Sequence, residues 1–306
     1  MTSKLLVEIN NLEQALDFVK VGVDALILNV MGLSSKKQFN IYTDELAILA
    51  SKKENTQLFI NMDKLYHEED FKGLKTLLSK IYDLGIRDLI ISDIGIYTFC
   101  KMYHLDFNFY NGNAILNTNY ASIEFMSRYF NGFVLSNEIH INETLEILKH
   151  SSSQNIVQIY GKAKMFYSNR KLLSSYFNYT KQDLSNREAY IIENDGGKED
   201  DKTYFYEDEN GSYAYTYYSI DGCSYLEQLI NNGLGYAYLN NIFEDENAYT
   251  QIVLAYNDYF KGKIDSYVLQ ETIHKNNEHV SLSFFEDQTI FTIEDAKLLE
   301  GSAKHE

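Results

Sequence analysis

Short apolar runs alternate with amphipathic helical stretches along most of this chain. Each run ends in or near an acidic or amide residue, and glycine often separates a helical stretch from the next run. Uninterrupted apolar runs are typical of parallel strands buried on both faces, and glycine is typical of helix ends. The runs lie at residues 5–9, 25–29, 58–61, 89–93, 107–110, 133–136, 156–160 and 236–240. Eight such runs predict an α/β fold, a (β/α)8 TIM-barrel-like domain.

The alternation is interrupted at residues 176–218, where two aromatic-rich runs flank Asn210-Gly211. Both turn residues tolerate positive φ, so this segment predicts an inserted β-hairpin over one face of the barrel. We therefore expect residues 1–263 to form the barrel, including the hairpin excursion 176–218. Residues 264–306 are expected to form a short C-terminal extension.

The chain carries 44 acidic and 27 basic residues, a formal net charge of −17. A surface of this sign repels a phosphate backbone, so we do not expect the chain to bind nucleic acid alone. No apolar stretch reaches the about 18 residues of a membrane span, and residues 1–8 do not resemble a signal peptide. With only two cysteines, these features predict a cytoplasmic protein without membrane contact.

Common motifs for binding phosphate, dinucleotides or zinc, or for a nucleophilic serine, are absent from the sequence. In a barrel, the functional groups then come from segments at the carboxyl ends of the strands. The candidates are His67, Asp93 and Glu138 for catalysis, Asn61, Asn119 and Tyr160 for ligand binding, and none for a metal. Structural alternatives remain open: His67 as a solvated loop residue, Glu138 as a surface carboxylate, and Asn119 as a helix cap.

Several of these strand-end segments together resemble the U32 peptidase family, also called collagenase-like proteases. The matching phrases occur in family order and lie at residues 22–25, 61–67, 92–93, 116–121, 135–139, 157–168, 206–211 and 221–223. The segments 170–177 and 206–211 look most like the short member of a two-subunit pair. That resemblance implies a barrel and a longer U32 partner. It also implies a role in prephenate-dependent 5-hydroxylation of the tRNA wobble uridine, with tRNA bound only through the complex.

The chain also departs from the family pattern. Family members usually have histidine at the position of Tyr160 and cysteine at that of Lys164, and several bind an iron–sulfur cluster through four cysteines. Only Cys223 stands at a matching position, so no cofactor is expected in this chain. Asn137 replaces an arginine, and residues 238–241 replace a segment containing lysine and an acid. Proline is absent throughout, including at Glu8-Ile9, where the resemblance expects one.

These losses favour a catalytically weakened subunit that works with its U32 partner. Two alternatives stay open at this point. One is an autonomous U32 enzyme, a peptidase-like hydrolase or a hydroxylase, using His67, Asp93 and Glu138 around a small aromatic or carboxylate ligand. The other is a binding module that holds a metabolite at the barrel mouth.

Overall fold

The computed structural model describes residues 3–35, 40–182, 189–192 and 202–286. Its strands are β1 (Lys4–Glu8), β2 (Ala25–Val30), β3 (Asn40–Ile41), β4 (Gln57–Met62), β5 (Asp88–Ile91), β6 (Asn108–Asn111), β7 (Gly132–Phe133), β8 (Ile156–Gly161), β9 (Lys164–Ser168), β10 (Tyr190–Ile192), β11 (Thr203–Asp208), β12 (Gly211–Thr216), β13 (Ser219–Asp221), β14 (Tyr236–Leu239) and β15 (Val280–Ser281). Its α-helices are α1 (Leu12–Lys20), α2 (Thr43–Lys52), α3 (Leu74–Asp83), α4 (Ile94–Met102), α5 (Tyr120–Met126), α6 (Ile141–His150), α7 (Leu172–Thr180), α8 (Leu226–Asn231), α9 (Glu246–Phe260) and α10 (Ser266–Asn276).

Eight parallel strands form one curled sheet in the order β8–β14–β1–β2–β4–β5–β6–β7. Just beyond β7, Val134 forms a parallel bridge to Ile156 of β8, and the N–H of Leu135 donates to the Ile156 carbonyl (2.9 Å). The two ends of the series are therefore hydrogen-bonded, and the sheet closes into a barrel. The predicted α/β barrel-type fold is confirmed, and every predicted apolar run overlaps one of these strands.

Side chains of the barrel strands alternate between two apolar cores. The inner core consists of Leu6, Ala25, Ile27, Phe59, Ile90, Tyr110, Ile156 and Tyr236. The outer core lies between the strands and the surrounding helices. Helix α1 shows how local sequence builds the outer layer: Asn11 caps it by accepting from the N–H of Gln14 (2.9 Å), and it buries Phe18 against the sheet.

A second, antiparallel sheet has the order β10–β11–β12–β9. Its centre is the predicted hairpin, in which β11 and β12 are joined through Asn210 and Gly211 (φ +142°). Stacked rings of Tyr206 and Tyr213 (centroids 4.6 Å apart) fill its inner face. The Tyr213 hydroxyl (2.7 Å) and the Asn210 side-chain amide (2.8 Å) both donate to the Ser35 carbonyl, which ties this sheet to the segment after β2.

The segment after residue 263 packs against the barrel as far as the structure describes it. Helix α10 lies on α9 and fully buries Leu269 and Ile273, and β15 pairs with β13. The rest of the predicted extension, residues 287–306, lies outside the described residues, as do 183–188 and 193–201 of the predicted excursion. Among the described helices, none combines the length and apolar character that a membrane crossing requires.

Gly132 provides a test of barrel closure. A Cβ atom at this position would lie 1.9 Å from the Gln154 carbonyl oxygen and 2.7 Å from Cδ1 of Tyr110. Because neither neighbour can retreat without moving a strand or the inner core, Gly132→Ala should lower the free energy of unfolding by about 3 kcal/mol. Urea denaturation followed by circular dichroism measures this loss.

Gly262→Ala is the matched control. Gly262 has a positive φ of +67°, but a Cβ there meets no atom within 4 Å. This substitution should cost only about 1 kcal/mol, from backbone strain alone. Equal losses in the two variants would contradict close packing of β7 against β8.

Candidate functional site at the barrel mouth

The inner apolar core gives way to a polar layer at the carboxyl ends of the strands. Because alternate residues share a face, Glu8, Asn29 and Asn61 follow the inward-pointing Leu6, Ile27 and Phe59 by two residues each. Asn29 Nδ2 donates to Glu8 Oε1 (2.6 Å), and Asn61 Nδ2 donates to Asn29 Oδ1 (2.8 Å). The sequence places three polar side chains in a hydrogen-bonded row across β1, β2 and β4.

Glu8 is fully buried at the start of this row. Its second oxygen, Oε2, accepts from the hydroxyl of Tyr238 on β14 (2.7 Å). Its backbone carbonyl accepts from the Tyr249 hydroxyl of α9 (2.9 Å). A buried carboxylate is tolerated only when its oxygens are hydrogen-bonded, so the Asn29 and Tyr238 donors make an acidic residue compatible with the barrel interior.

A cavity of about 110 Å³ opens beside this polar row. The atoms that line it come from three places: apolar floor residues, polar groups of the strand ends, and the second sheet above. They belong to Ile27, Asn61, Asp63, Ile90, Gly112, Ala114, Val134, Asn137, Ile156, Gln158, Lys164, Tyr215, Tyr238 and Asn240. The cavity therefore lies where barrel proteins bind their ligands, at the carboxyl ends of the strands.

The charged residues of the cavity form an ion pair. Lys164 of β9 reaches Asp63, with Nζ 3.3 Å from Oδ2, and the other carboxylate oxygen accepts from the backbone N–H of Ser35 (2.8 Å). Asp63 is mostly buried, whereas the lysine side chain is 37% exposed. The pair links the barrel to the second sheet and leaves the cavity wall with little net charge.

Two tyrosines of the cavity wall are held in the protonated form. Burial raises the pKa of both Tyr215 and Tyr238 well above the usual tyrosine range, and the nearby carboxylates of Glu8 and Asp63 raise the pKa of Tyr215 further. At neutral pH both hydroxyls are therefore hydrogen-bond donors and neither can serve as a general base.

Of the predicted ligand-binding residues, Asn61 lines the cavity. Asn119 is exposed and caps α5, accepting from the N–H of Ser122 (2.9 Å). Tyr160 is fully buried in the outer core, where its hydroxyl donates to Glu244 Oε2 (3.1 Å). The structure thus brings only one of these three residues to the cavity wall.

A bulge explains the direction of Tyr160. Tyr238 of β14 pairs with Gln158, but the next residue, Leu239, pairs with Tyr160, so Ile159 is an extra residue in β8. The extra residue reverses the alternation, and Tyr160 turns away from the interior face that Gln158 occupies.

The three predicted catalytic residues lie on loops or helix ends after β4, β5 and β7. His67 is exposed, and its Nε2 lies 2.8 Å from Asn169 Nδ2. Asp93 caps α4 by accepting from the N–H of Gly95 (2.7 Å). Glu138 is exposed, and its backbone N–H donates to the Ser136 hydroxyl (3.2 Å). None of the three lines the cavity described above.

The cysteines do not fit an iron–sulfur cluster. Such a cluster needs four thiolates, and the full chain has two cysteines. Both Cys100 and Cys223 are buried, and burial raises the pKa of each thiol to about 12. Within the described part of the chain, no three His, Cys, Asp or Glu residues are grouped so that they could hold a metal ion.

The fold and cavity define an α/β barrel protein with a polar, nearly neutral mouth. The sequence profile of peptidase family U32 matches residues 10–290, and the chain belongs to that family. It is 20% identical to tRNA hydroxylation protein P2 of Bacillus subtilis (strain 168), in an alignment covering 94% of this chain and 99% of that protein.

Two solved structures are also similar. The U32 peptidase Mk0906 is 11% identical and has a TM-score of 0.45, with 60% of this chain and 81% of that chain covered. Proteus mirabilis N-acetylneuraminate lyase is 9% identical and has a TM-score of 0.40, with 99% of each chain covered.

Substitution of Glu8 tests the polar row. In Glu8→Gln an NH2 donor replaces one of the two acceptor oxygens and faces another donor, either Asn29 Nδ2 or the Tyr238 hydroxyl. The variant should lose about 2 kcal/mol of unfolding free energy because a buried donor is left unpaired. Urea denaturation measures the loss. The control Glu13→Gln, on the exposed face of α1, should change stability by about 0.5 kcal/mol or less. A Glu8→Gln variant as stable as the wild type would show that the hydrogen-bonded row does not stabilise the fold.

Proposed function

We propose that this protein is a subunit that works with a longer U32-family protein in prephenate-dependent 5-hydroxylation of the tRNA wobble uridine. The observation that carries the proposal is the end-to-end alignment with tRNA hydroxylation protein P2, within a family match that spans residues 10–290. The proposal also places the protein in the cytoplasm, where tRNA is modified and thiols stay reduced.

The charge of the chain supports dependence on a partner. With a net charge of −17, the protein repels the tRNA backbone at long range. The described cavity adds one ammonium group, on Lys164, and Asp63 already neutralises it. In the proposed complex the partner supplies the cationic surface that holds tRNA.

The character of the mouth supports a reduced catalytic contribution from this subunit. Amides and protonated phenols line the cavity, and these groups bind and orient a ligand more readily than they transfer protons at neutral pH. In the proposal, His67, Asp93 and Glu138 lie on the rim of the mouth, within reach of a substrate or partner that docks on this face.

A tagged copy expressed in the native host tests the partnership. It should co-purify with a longer U32-family protein, identified by mass spectrometry. The purified protein alone should leave unmodified tRNA unchanged in the presence of prephenate, and addition of the partner should restore hydroxylation. Recovery only as a monomer or homodimer would contradict the proposal.

Deletion of the gene tests the role in the cell. The 5-hydroxyuridine-derived nucleosides of digested tRNA, measured by liquid chromatography and mass spectrometry, should fall by more than half, and a plasmid copy should restore them. An unchanged nucleoside profile would contradict the role in tRNA modification.

The family name also allows an autonomous peptidase. Degradation of gelatin by the purified protein alone would favour that alternative.

A further inference from the structure

A second cavity lies at the amino ends of the barrel strands, at the opposite end of the barrel from the mouth. This basal cavity has a volume of about 370 Å³ and is lined by Lys4, Gln57, Asp88, Asn108, Tyr110, Asn131, Ser152, Gln154 and Tyr236. Alternate residues of an extended chain share a face, so the residues two positions before inner-core residues also point inward. Those residues are Lys4, Gln57, Asp88, Asn108 and Gln154, before Leu6, Phe59, Ile90, Tyr110 and Ile156. The sequence therefore closes this end of the inner core with a polar ring.

Two opposite charges of this ring face the basal cavity without pairing. Asp88 begins β5 and is only 7% exposed, and Lys4 begins β1, three strands away around the barrel. The Lys4 ammonium makes one hydrogen bond, to Gln57 Oε1 (3.4 Å). Among the described residues, neither Lys4 nor Asp88 takes part in an ion pair. A buried carboxylate without a cationic partner is costly, so Asp88 calls for a partner that the fold itself does not supply.

A purely structural role does not account for Asp88. Residues at the amino end of a barrel commonly serve stability. Burial, however, raises the pKa of Asp88 above the usual range for aspartic acid, and the amides of Asn108 and Gln57 and the Lys4 charge lower it by less. The charged form is therefore less stable in the folded protein than in the unfolded chain, and Asp88 lowers the stability at neutral pH.

Acceptors of the basal cavity lie on β5 and β6. Asn108 of β6 is paired in register with Asp88, and its Nδ2 donates to Asp88 Oδ1 (3.0 Å). The amide oxygen of Asn108 is the group left over, and it has no donor among the described residues. This side of the cavity therefore offers a carboxylate and a neighbouring amide oxygen, which together suit an ammonium group.

Donors lie on the other side, where Lys4 and Gln154 flank Tyr236 of β14. The Tyr236 hydroxyl donates to Gln57 Oε1 (2.8 Å), and the Tyr110 hydroxyl donates to Gln154 Oε1 (3.2 Å). Because its oxygen is already used, Gln154 presents its NH2 group, for which the described residues provide no acceptor. An ammonium and an amide NH2 group together suit a carboxylate.

We infer that the basal cavity binds an α-amino acid as its zwitterion. Asp88 and Asn108 accept from its ammonium group. Lys4 and Gln154 donate to its carboxylate. The wall is completed by Asn131 and Ser152, which are uncharged and polar and fit a side chain of the same character, as in glutamine. The volume of about 370 Å³ is ample, since a cavity of about 150 Å³ holds benzene.

Three related compounds test the ligand class on the isolated wild-type protein by isothermal titration calorimetry. L-Glutamine carries both charges of the zwitterion, N-acetyl-L-glutamine lacks the ammonium group, and L-glutaminamide lacks the carboxylate. L-Glutamine should bind, and each blocked compound should bind at least about tenfold more weakly. Absence of L-glutamine binding, or equal binding of the three compounds, would overturn the inference. Binding of CaCl2 in place of L-glutamine would overturn it in favour of a cation site.

Two variants assign each charge of the ligand to its own residue. Asp88→Asn should bind L-glutamine about tenfold more weakly and should no longer distinguish it from N-acetyl-L-glutamine. Lys4→Met should weaken binding by a similar factor and should no longer distinguish L-glutamine from L-glutaminamide. Asp88→Asn should melt at or above the wild-type temperature, because the costly charge is gone and an oxygen remains for Asn108. Wild-type discrimination in either variant would contradict the assigned contact.

Asp106→Asn is the matched control. It removes a carboxylate before β6, at the same end of the barrel, but the Asp106 side chain is 83% exposed, pairs with Lys101 (3.0 Å) and does not line the basal cavity. This variant should bind L-glutamine as the wild type does. The measurements need neither tRNA nor the partner subunit, and the site lies away from the mouth. Failure of this inference is therefore distinguishable from failure of the proposed function.

Discussion

The closure of the barrel between β7 and β8 is the constraint on which the rest of the structure depends. A curled parallel sheet closes into a barrel only if its last strand hydrogen-bonds to its first. Here the last strand, β7, is only two residues long. The bridge between Val134 and Ile156 completes the ring, and Gly132 lets the chain approach Gln154 closely enough to form it. Both bridge residues also line the cavity, so the contact that closes the fold is part of the floor of the mouth.

A single buried carboxylate organises the polar half of the barrel. Glu8 is tolerated inside the barrel because Asn29 of β2 and Tyr238 of β14 donate to its two carboxylate oxygens, and Tyr249 of α9 donates to its backbone carbonyl. Its carboxylate accepts from the side-chain amide of Asn29 and so fixes the orientation of that amide. The Asn29 oxygen in turn fixes the orientation of the Asn61 amide. The orientation of Asn61 at the cavity wall is therefore set by a residue that does not itself line the cavity.

The architecture could be predicted from the sequence, but most of the cavity could not. Parallel strands buried on both faces appear as apolar runs, and the Asn210-Gly211 turn marks its hairpin locally, so these features need no tertiary information. Glu8 carries no sequence signal of burial except its position two residues after Leu6, which puts both side chains on the same face of β1. The direction of the Tyr160 side chain depends on the bulge at Ile159. That bulge arises from the pairing of β8 with β14, which lies far along the chain. Tyr215 reaches the mouth through the packing of the second sheet, and the turn at residues 210–211 predicts the hairpin without indicating which of its side chains line the cavity.

The Ser35 carbonyl accepts from two donors of the second sheet, the Asn210 side chain and the Tyr213 hydroxyl. Tyr213 lies two residues before Tyr215 on the same face of β12, so this one backbone oxygen sets how deeply Tyr215 sits over the mouth. Lifting the sheet breaks both bonds together. A shift of residue 35 therefore moves both anchors of the second sheet at once, and with them the position of Tyr215 in the cavity wall.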